Sequence, residues 1–333
     1  MKIVVTGGGG FVGSALVRDL IATGKRDDEI YLIDNLQRHG QNKNLDDVLS
    51  NRQVRLIQAD LTSTDFYAKM PKDVERLYHL AAIVGVETTM QNPAKVLKVN
   101  TLSTLNVFDW FMEHAAKQAR LLFSSSSEVY SGAEAFQGAL PIPTPEDVPY
   151  VIPEPENPRF SYALSKMWGE AYGRYLSEAS GKLIATVRYH NVYGPNMGFA
   201  HVIPQVVRRV VKRENPFKII AEEQTRSFCW VNDAARLTRL VMESQNLKPG
   251  MVVHIGNAAE EVKIGDLYKM IFEHCQWNPH DIEKAPAPPG SVSRRCPDIS
   301  TLNRVVRWDK FTPLKEGLAQ TVSWYKENLN GNR

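Results

Sequence analysis

A chain of 333 residues with 43% apolar and 23% charged residues can bury a substantial core, and its composition excludes a disordered or fibrous protein. The net charge of +3 comes from 40 basic and 37 acidic residues without a long single-sign block, which argues against a nucleic-acid partner. Cys229, Cys275 and Cys296 lie far apart and outside any Cys-x-x-Cys pattern, so neither a disulfide framework nor a metal site is expected.

In chain order, β-branched runs alternate with helix-period segments. Strands are expected at 2 to 6, 29 to 33, 54 to 58 and 75 to 79, with helices at 11 to 23 and 64 to 70. The rhythm continues through a helix at about 93 to 115, a strand at 120 to 123, a helix at about 160 to 178 and a strand at 183 to 188. Such alternation predicts an α/β Rossmann-type fold, a doubly wound parallel sheet with crossover helices. Residues 132 to 158 carry prolines at 141, 143, 145, 149, 153, 155 and 158 with little periodicity, which predicts a long loop acting as a functional cover. From about Pro195 the pattern breaks into Pro-bounded helices at 204 to 213, 232 to 244 and 264 to 275, with short strands at Phe217 to Ile220 and Val252 to Ile255. The expected division is therefore residues 1–190 and a smaller C-terminal α/β lobe over 191–333, with some chain crossing back to the first sheet. No apolar stretch approaches the ~18 residues of a membrane span. The strand pattern begins at residue 2 without a basic-then-apolar leader, so the expected location is the cytoplasm.

The stretch GGGGFVG at residues 7–13 sits directly after the first strand and opens the first helix. Glycine supplies positive φ in any tight turn, so the turn alone says little. Its setting says more, because Gly7, Gly10 and Gly13 recur every third residue where free N–H groups and the helix dipole attract a pyrophosphate. The second strand then ends in Asp34, placed to accept hydrogen bonds from an adenosine ribose and to repel a 2′-phosphate. NAD is thereby favoured over NADP, with Arg38 nearby weakening the preference slightly.

The strand at 120 to 123 runs into Ser124-Ser125-Ser126-Ser127-Glu128-Val129-Tyr130, and Tyr162 and Lys166 follow four apart on one helix face. A tyrosine near its usual pKa of ~10 is a poor base at neutral pH. A neighbouring ammonium and a positive nicotinamide ring favour its phenolate, which can take a proton from a sugar hydroxyl.

These motifs, with Ala59-Asp60-Leu61, His79-Leu80-Ala81-Ala82, Asn100, Arg188 to Pro195, Thr225 to Phe228 and Arg295 to Ser300, resemble the extended short-chain dehydrogenases that act on nucleotide sugars. The likeness spans nearly the whole chain. It implies an NAD-dependent epimerase or dehydratase that recycles its cofactor through a 4-keto sugar, with Ser126, Tyr162 and Lys166 as its triad and Ser127 and Glu128 beside them. It assigns Gly7, Gly10, Phe11, Val12, Gly13, Asp34, Asn35, Asp60, Leu61, Leu80, Ala81, Ala82 and Asn100, together with Tyr162 and Lys166, to the cofactor. Asn191, Val202, Arg226 and Arg295 are assigned to a nucleoside-diphosphate sugar, a UDP-sugar by preference. Family members pair two helices across a two-fold axis, and Val107, Phe108, Trp110 and Phe111 with Met167, Trp168, Tyr172 and Tyr175 suggest the same homodimer here.

The reaction stays open between three types. Dehydratases of this kind show Asp-Glu after the triad serine, whereas this chain shows Ser127-Glu128, so the acid is missing and the base kept. Simple 4-epimerases lack that carboxylate. UDP-glucuronate decarboxylases share Ser-Glu here and resemble Asn92-Pro93-Ala94-Lys95 and Arg294 to Asp298. Against them, Glu87 in Val86-Glu87-Thr88-Thr89-Met90 is expected near the sugar, where it would repel a uronate, and their tyrosine in that segment is missing. A non-enzyme alternative, an NAD-sensing scaffold, leaves the intact triad without a purpose.

Overall fold

The run Lys-Ile-Val-Val-Thr forms β1 (Lys2–Thr6), whose side chains alternate between two cores: Ile3 and Val5 enter one, Val4 the other. The same parity holds in β2 (Glu29–Asp34), where Ile30 and Leu32 oppose Tyr31 and Ile33. A strand buried on both faces needs cover on both faces. The computed structural model, which describes residues 1–37, 45–137, 140–199, 201–287 and 291–330, supplies that cover.

With β3 (Val54–Gln58), β4 (Arg76–His79), β5 (Arg120–Ser126), β6 (Leu183–Tyr189) and β7 (Val252–Ile255), the strands form one seven-stranded sheet in the order β7-β6-β5-β4-β1-β2-β3. Every pairing in it is parallel. Four helices, α1 (Phe11–Thr23), α2 (Pro93–His114), α3 (Phe160–Ser180) and α4 (Val231–Glu243), cover it. Leu16, Val17 and Leu20 of α1 meet the apolar face of α4 on one side, and Val107, Phe108 and Phe111 of α2 pack with Tyr172 and Leu176 of α3 on the other. Strand order reverses between β1 and β4, so a crevice opens at the carboxyl ends of these parallel strands.

Most expected elements lie where the periodicity puts them, with four differences. Thr64–Lys69 is a 3₁₀ helix started by Ser63, whose hydroxyl accepts from the Asp65 N–H. The strand expected at 120 to 123 continues to Ser126 because Ser124, Ser125 and Ser126 pair with Val187, Arg188 and Tyr189. The Pro-rich stretch opens with a helix, Ser131–Gln137, and is tied down further along where Thr144 bridges to Pro297. Beyond β6 the lobe packs Val202–Val211, Ile264–Cys275 and a helix absent from the expected set, Leu314–Asn330.

Candidate active site

The glycine loop is built by close backbone approach. Gly7 turns out of β1 at φ +67°, where a Cβ would stand 2.7 Å from the Ala81 backbone, and a Cβ on Gly13 would stand 2.2 Å from the Gly7 carbonyl oxygen. Only glycine fits either place. Helix α1 starts at Gly10 without a side-chain cap and without an acidic residue in its first turn, which leaves its N-terminus available to an anion. Asp34, at the end of β2, accepts from the Gly9 N–H at 3.0 Å and from the Leu36 N–H at 2.8 Å, so it organises the loop as well as facing the crevice. Arg38 lies outside the described residues.

A cavity of about 650 Å³ runs from this loop to the C-terminal lobe. Gly7, Gly10, Phe11, Val12, Gly13, Asp34, Asn35, Asp60, Leu61, Leu80, Ala81 and Ala82 line its first part, and Ser126, Ser127, Glu128, Tyr162 and Lys166 its middle. Asn191 and Arg295 line the far end. Asn100 stands behind the wall: its side chain accepts from the Ile83 N–H at 2.7 Å and donates to the Ile83 carbonyl at 3.1 Å, bracing the segment after β4.

Tyr162 and Lys166 project from α3 toward the end of β5. Tyr162 lines the cavity beside Ser126, and Lys166 Nζ donates to the Ser124 carbonyl at 2.8 Å, 5.8 Å from the Tyr162 ring centroid. Burial and then the Glu128 charge push the Tyr162 phenol above its usual 10, so the chain by itself holds this group protonated. Burial pulls the Lys166 ammonium down to about 7, partly offset by the Glu170 carboxylate.

Glu128 follows at once in a 3₁₀ turn, Ser127–Tyr130, capped by Ser126, whose Oγ accepts from the Glu128 N–H. Burial would raise its carboxyl, but Arg295 at 2.6 Å and Arg159 at 3.6 Å outweigh that and hold it at about 2. Ser131 donates to its other oxygen at 3.1 Å. Arg159, three residues before Tyr162, escaped the sequence reading, although that spacing places both on one helix face.

Two residues assigned to the sugar lie outside the cavity wall. Arg226 is occupied by oxygen partners, donating to the carbonyls of Thr225 and Val292 at 2.7 Å and to Gln224 Oε1 at 3.0 Å. It therefore clasps the segment that carries Arg295, and burial lowers its guanidinium to about 10. Val202 opens the helix Val202–Val211. Glu87 also misses the cavity: Val86, Thr88 and Thr89 line it, while Glu87 is exposed and pairs with Gln91 at 3.3 Å. Of the residues expected to form a second apolar face, Val107, Phe108, Trp110 and Phe111 are consumed by the core, whereas Tyr175 is 66% exposed.

The profile of the NAD dependent epimerase/dehydratase family matches residues 3–256, and the chain belongs to that family. It is 30% identical to UDP-glucuronic acid decarboxylase 1 of Arabidopsis thaliana over 99% of this chain and 71% of that one. Among solved structures it is 27% identical to a UDP-glucose 4-epimerase of Thermotoga maritima, with a TM-score of 0.82 and coverage of 99% of this chain and 100% of that one. A UDP-N-acetylglucosamine 4-epimerase of Methanobrevibacter ruminantium M1 gives 27% identity and a TM-score of 0.83 over 98% of both chains. The chain is thus an NAD-dependent enzyme, and the side-chain-free cradle at Gly7 and Gly13 fits that cofactor.

Proposed function

We propose that this enzyme oxidises carbon 4 of a nucleoside-diphosphate sugar, a UDP-sugar by preference, and later reduces the resulting 4-keto sugar within the same site. The observation that carries the reading is the cluster of Ser126, Tyr162 and Lys166 midway along one cavity, between the glycine loop and Arg295. NAD, when bound, supplies a hydride acceptor and donor. Tyr162 takes the proton of the sugar hydroxyl and returns it, Ser126 orients that hydroxyl, and Lys166 favours the phenolate by its charge. Asn191 and Arg295 suit the diphosphate, with Arg226 holding the Arg295 segment in place. Glu128, ionised across the neutral range, lies beside the triad as an acceptor for a proton from a carbon next to the ketone, and release from Arg295 and Arg159 as substrate binds would raise its basicity.

Incubation with a panel of UDP-, GDP-, CDP- and dTDP-sugars in deuterated water, followed by mass spectrometry, tests the reading. A redox-neutral product from one sugar is expected. Deuterium at carbon distinguishes a proton transfer by Glu128 from plain 4-epimerisation, and no product from any sugar would refute the assignment.

Decarboxylation of a UDP-uronate is a second reading, favoured by one observation: Arg159 and Arg295 place two guanidinium groups around Glu128 while Glu87 faces away. Release of carbon dioxide from UDP-glucuronate selects it. We further propose a cytoplasmic homodimer formed through α2 and α3, on the support of the exposed Leu164 and Tyr175 of α3. No helix among the described residues is long and apolar enough to cross a membrane.

A further inference from the structure

Tyr162, Lys166 and Glu170 stand four residues apart along α3 and share one face. The same face meets the consecutive serines that end β5. The Ser124 carbonyl accepts from Lys166 at 2.8 Å and Ser125 Oγ donates to Glu170, while Tyr162 shares the cavity wall with Ser126. The chemistry proposed above uses Tyr162 and Lys166 and leaves Glu170 without a task, although it is 4% exposed.

The surroundings of Glu170 are unusually complete. Arg188 of β6 reaches both carboxylate oxygens, with Nη2 at 2.7 Å from one of them, and Tyr150 donates to the same oxygen at 2.5 Å. Arg188 also donates to the Tyr130 hydroxyl, the Glu146 carbonyl and the Tyr150 hydroxyl. Three of these partners, Tyr130, Glu146 and Tyr150, come from the chain between β5 and α3, so the Pro-rich stretch is fastened to the face that carries the triad.

We propose that Glu170 is a positioning residue for that face: its carboxylate anchors Ser125 beside Ser126 and supplies the counter-charge that keeps buried Lys166 an ammonium. The proposal rests on the redox reading for its purpose, since an ammonium is what favours the Tyr162 phenolate. The other titratable groups around Lys166 are Tyr162 on its own helix and His79 on β4, an imidazole kept neutral by burial and by Lys166 itself. Around Glu170 they are Arg188, Tyr150 and, through Arg188, Tyr130. Among these, Glu170 is the group that pulls Lys166 toward its charged form.

The test reads Lys166 directly and needs neither sugar nor cofactor, so its outcome is separate from that of the assigned reaction. Protein carrying carbon-13 at lysine Cε is titrated by NMR, the Lys166 signal being identified by its loss in Lys166→Arg. In wild type the signal should pass from ammonium to amine at about 7. Glu170→Gln removes the carboxylate and keeps its shape and its hydrogen bond to Ser125, leaving the Arg188 charge in place. In that variant the acid dissociation constant of Lys166 should rise about tenfold or more. Once a sugar substrate is in hand, the high-pH fall of kcat/KM should move to lower pH by the same factor, whereas a purely structural defect would lower kcat/KM equally at every pH. A folded Glu170→Gln variant whose Lys166 titrates as in wild type overturns the proposal. So does a wild-type Lys166 that is already an amine about one pH unit below neutrality, a result readable even if the variant fails to fold.

Discussion

Glu128→Gln offers the sharpest test of the site's electrostatics. The two guanidinium groups at 2.6 and 3.6 Å bring the Glu128 carboxyl from 4.5 to about 2 against the opposing effect of burial. At about 1.4 kcal/mol for each factor of ten in acidity, this amounts to about 3 kcal/mol of attraction between the ionised carboxylate and its surroundings. The side chain is only 25% exposed, so solvent screening removes little of it. Glutamine preserves the shape but leaves Arg295 and Arg159 facing each other uncompensated. The variant should therefore be less stable than wild type by about 3 kcal/mol at neutral pH. Because the folded carboxyl is the more acidic, the contribution is complete above the unfolded value and fades as pH falls toward the folded one, leaving a gap of about 2 kcal/mol near pH 3.5. Urea unfolding of both proteins across this range measures it. A gap below about 1 kcal/mol at neutral pH, or one that stays constant down to about pH 3.5, would show that the ion pair is not the source.

Tyr162→Phe should keep the fold and the bound cofactor while lowering turnover by roughly a hundredfold or more, measured as steady-state sugar conversion; activity within a few-fold of wild type would remove Tyr162 from the chemistry. Gly13→Ala puts a methyl group 2.2 Å from the Gly7 carbonyl oxygen, so the loop or the start of α1 must shift. Loss of co-purifying NAD and about 1–3 kcal/mol of stability should follow, read by cofactor extraction and thermal unfolding. Asp34→Ala removes the acceptor of the Gly9 and Leu36 N–H groups as well as the ribose partner. NAD affinity, measured by calorimetry, should fall far more than NADP affinity, and an unchanged ratio would contradict the ribose role.

The parallel sheet was legible because its strands are buried on both faces and therefore read as β-branched runs such as Lys2-Ile3-Val4-Val5. The glycine loop was legible because its spacing depends on backbone clearance, which a sequence displays directly. The ends of elements were less so: the serines at 124 to 126 have no apolar pattern, and their pairing with β6 is what extends β5. Helix Leu314–Asn330 carries its own signal, Leu314, Leu318, Val322 and Tyr325 at helical spacing, all buried, yet the polar residues between them dilute it. At the site, single positions such as Tyr162 and Lys166 could be placed, but partnerships could not. Glu128 and Arg295 are 167 residues apart, and nothing local tells that they meet. Likewise, whether Arg226 faces a ligand or a row of carbonyls depends on the path of Val292 and Ser293, and the outward turn of Glu87 depends on the phase of a six-residue helix, Val86–Gln91.

The position of β7 governs the order in which the molecule can close. Strand β6 receives its outer neighbour only after the chain has travelled through Val202–Val211 and α4 and returned at Val252. Until then one side of β6 carries a row of unsatisfied N–H and C=O groups, a template for pairing with another chain. The apolar face of α1 is meanwhile uncovered, because α4 is its partner. Completing the sheet therefore takes a long-range closure of the kind that slows folding. A chain cut between residues 190 and 251 would yield not a small NAD-binding unit but a sheet with an open, adhesive margin. The part of the chain that reaches the far end of the cavity thus also supplies the outer partner of β6, and the two halves cannot be traded between proteins as beads on a string.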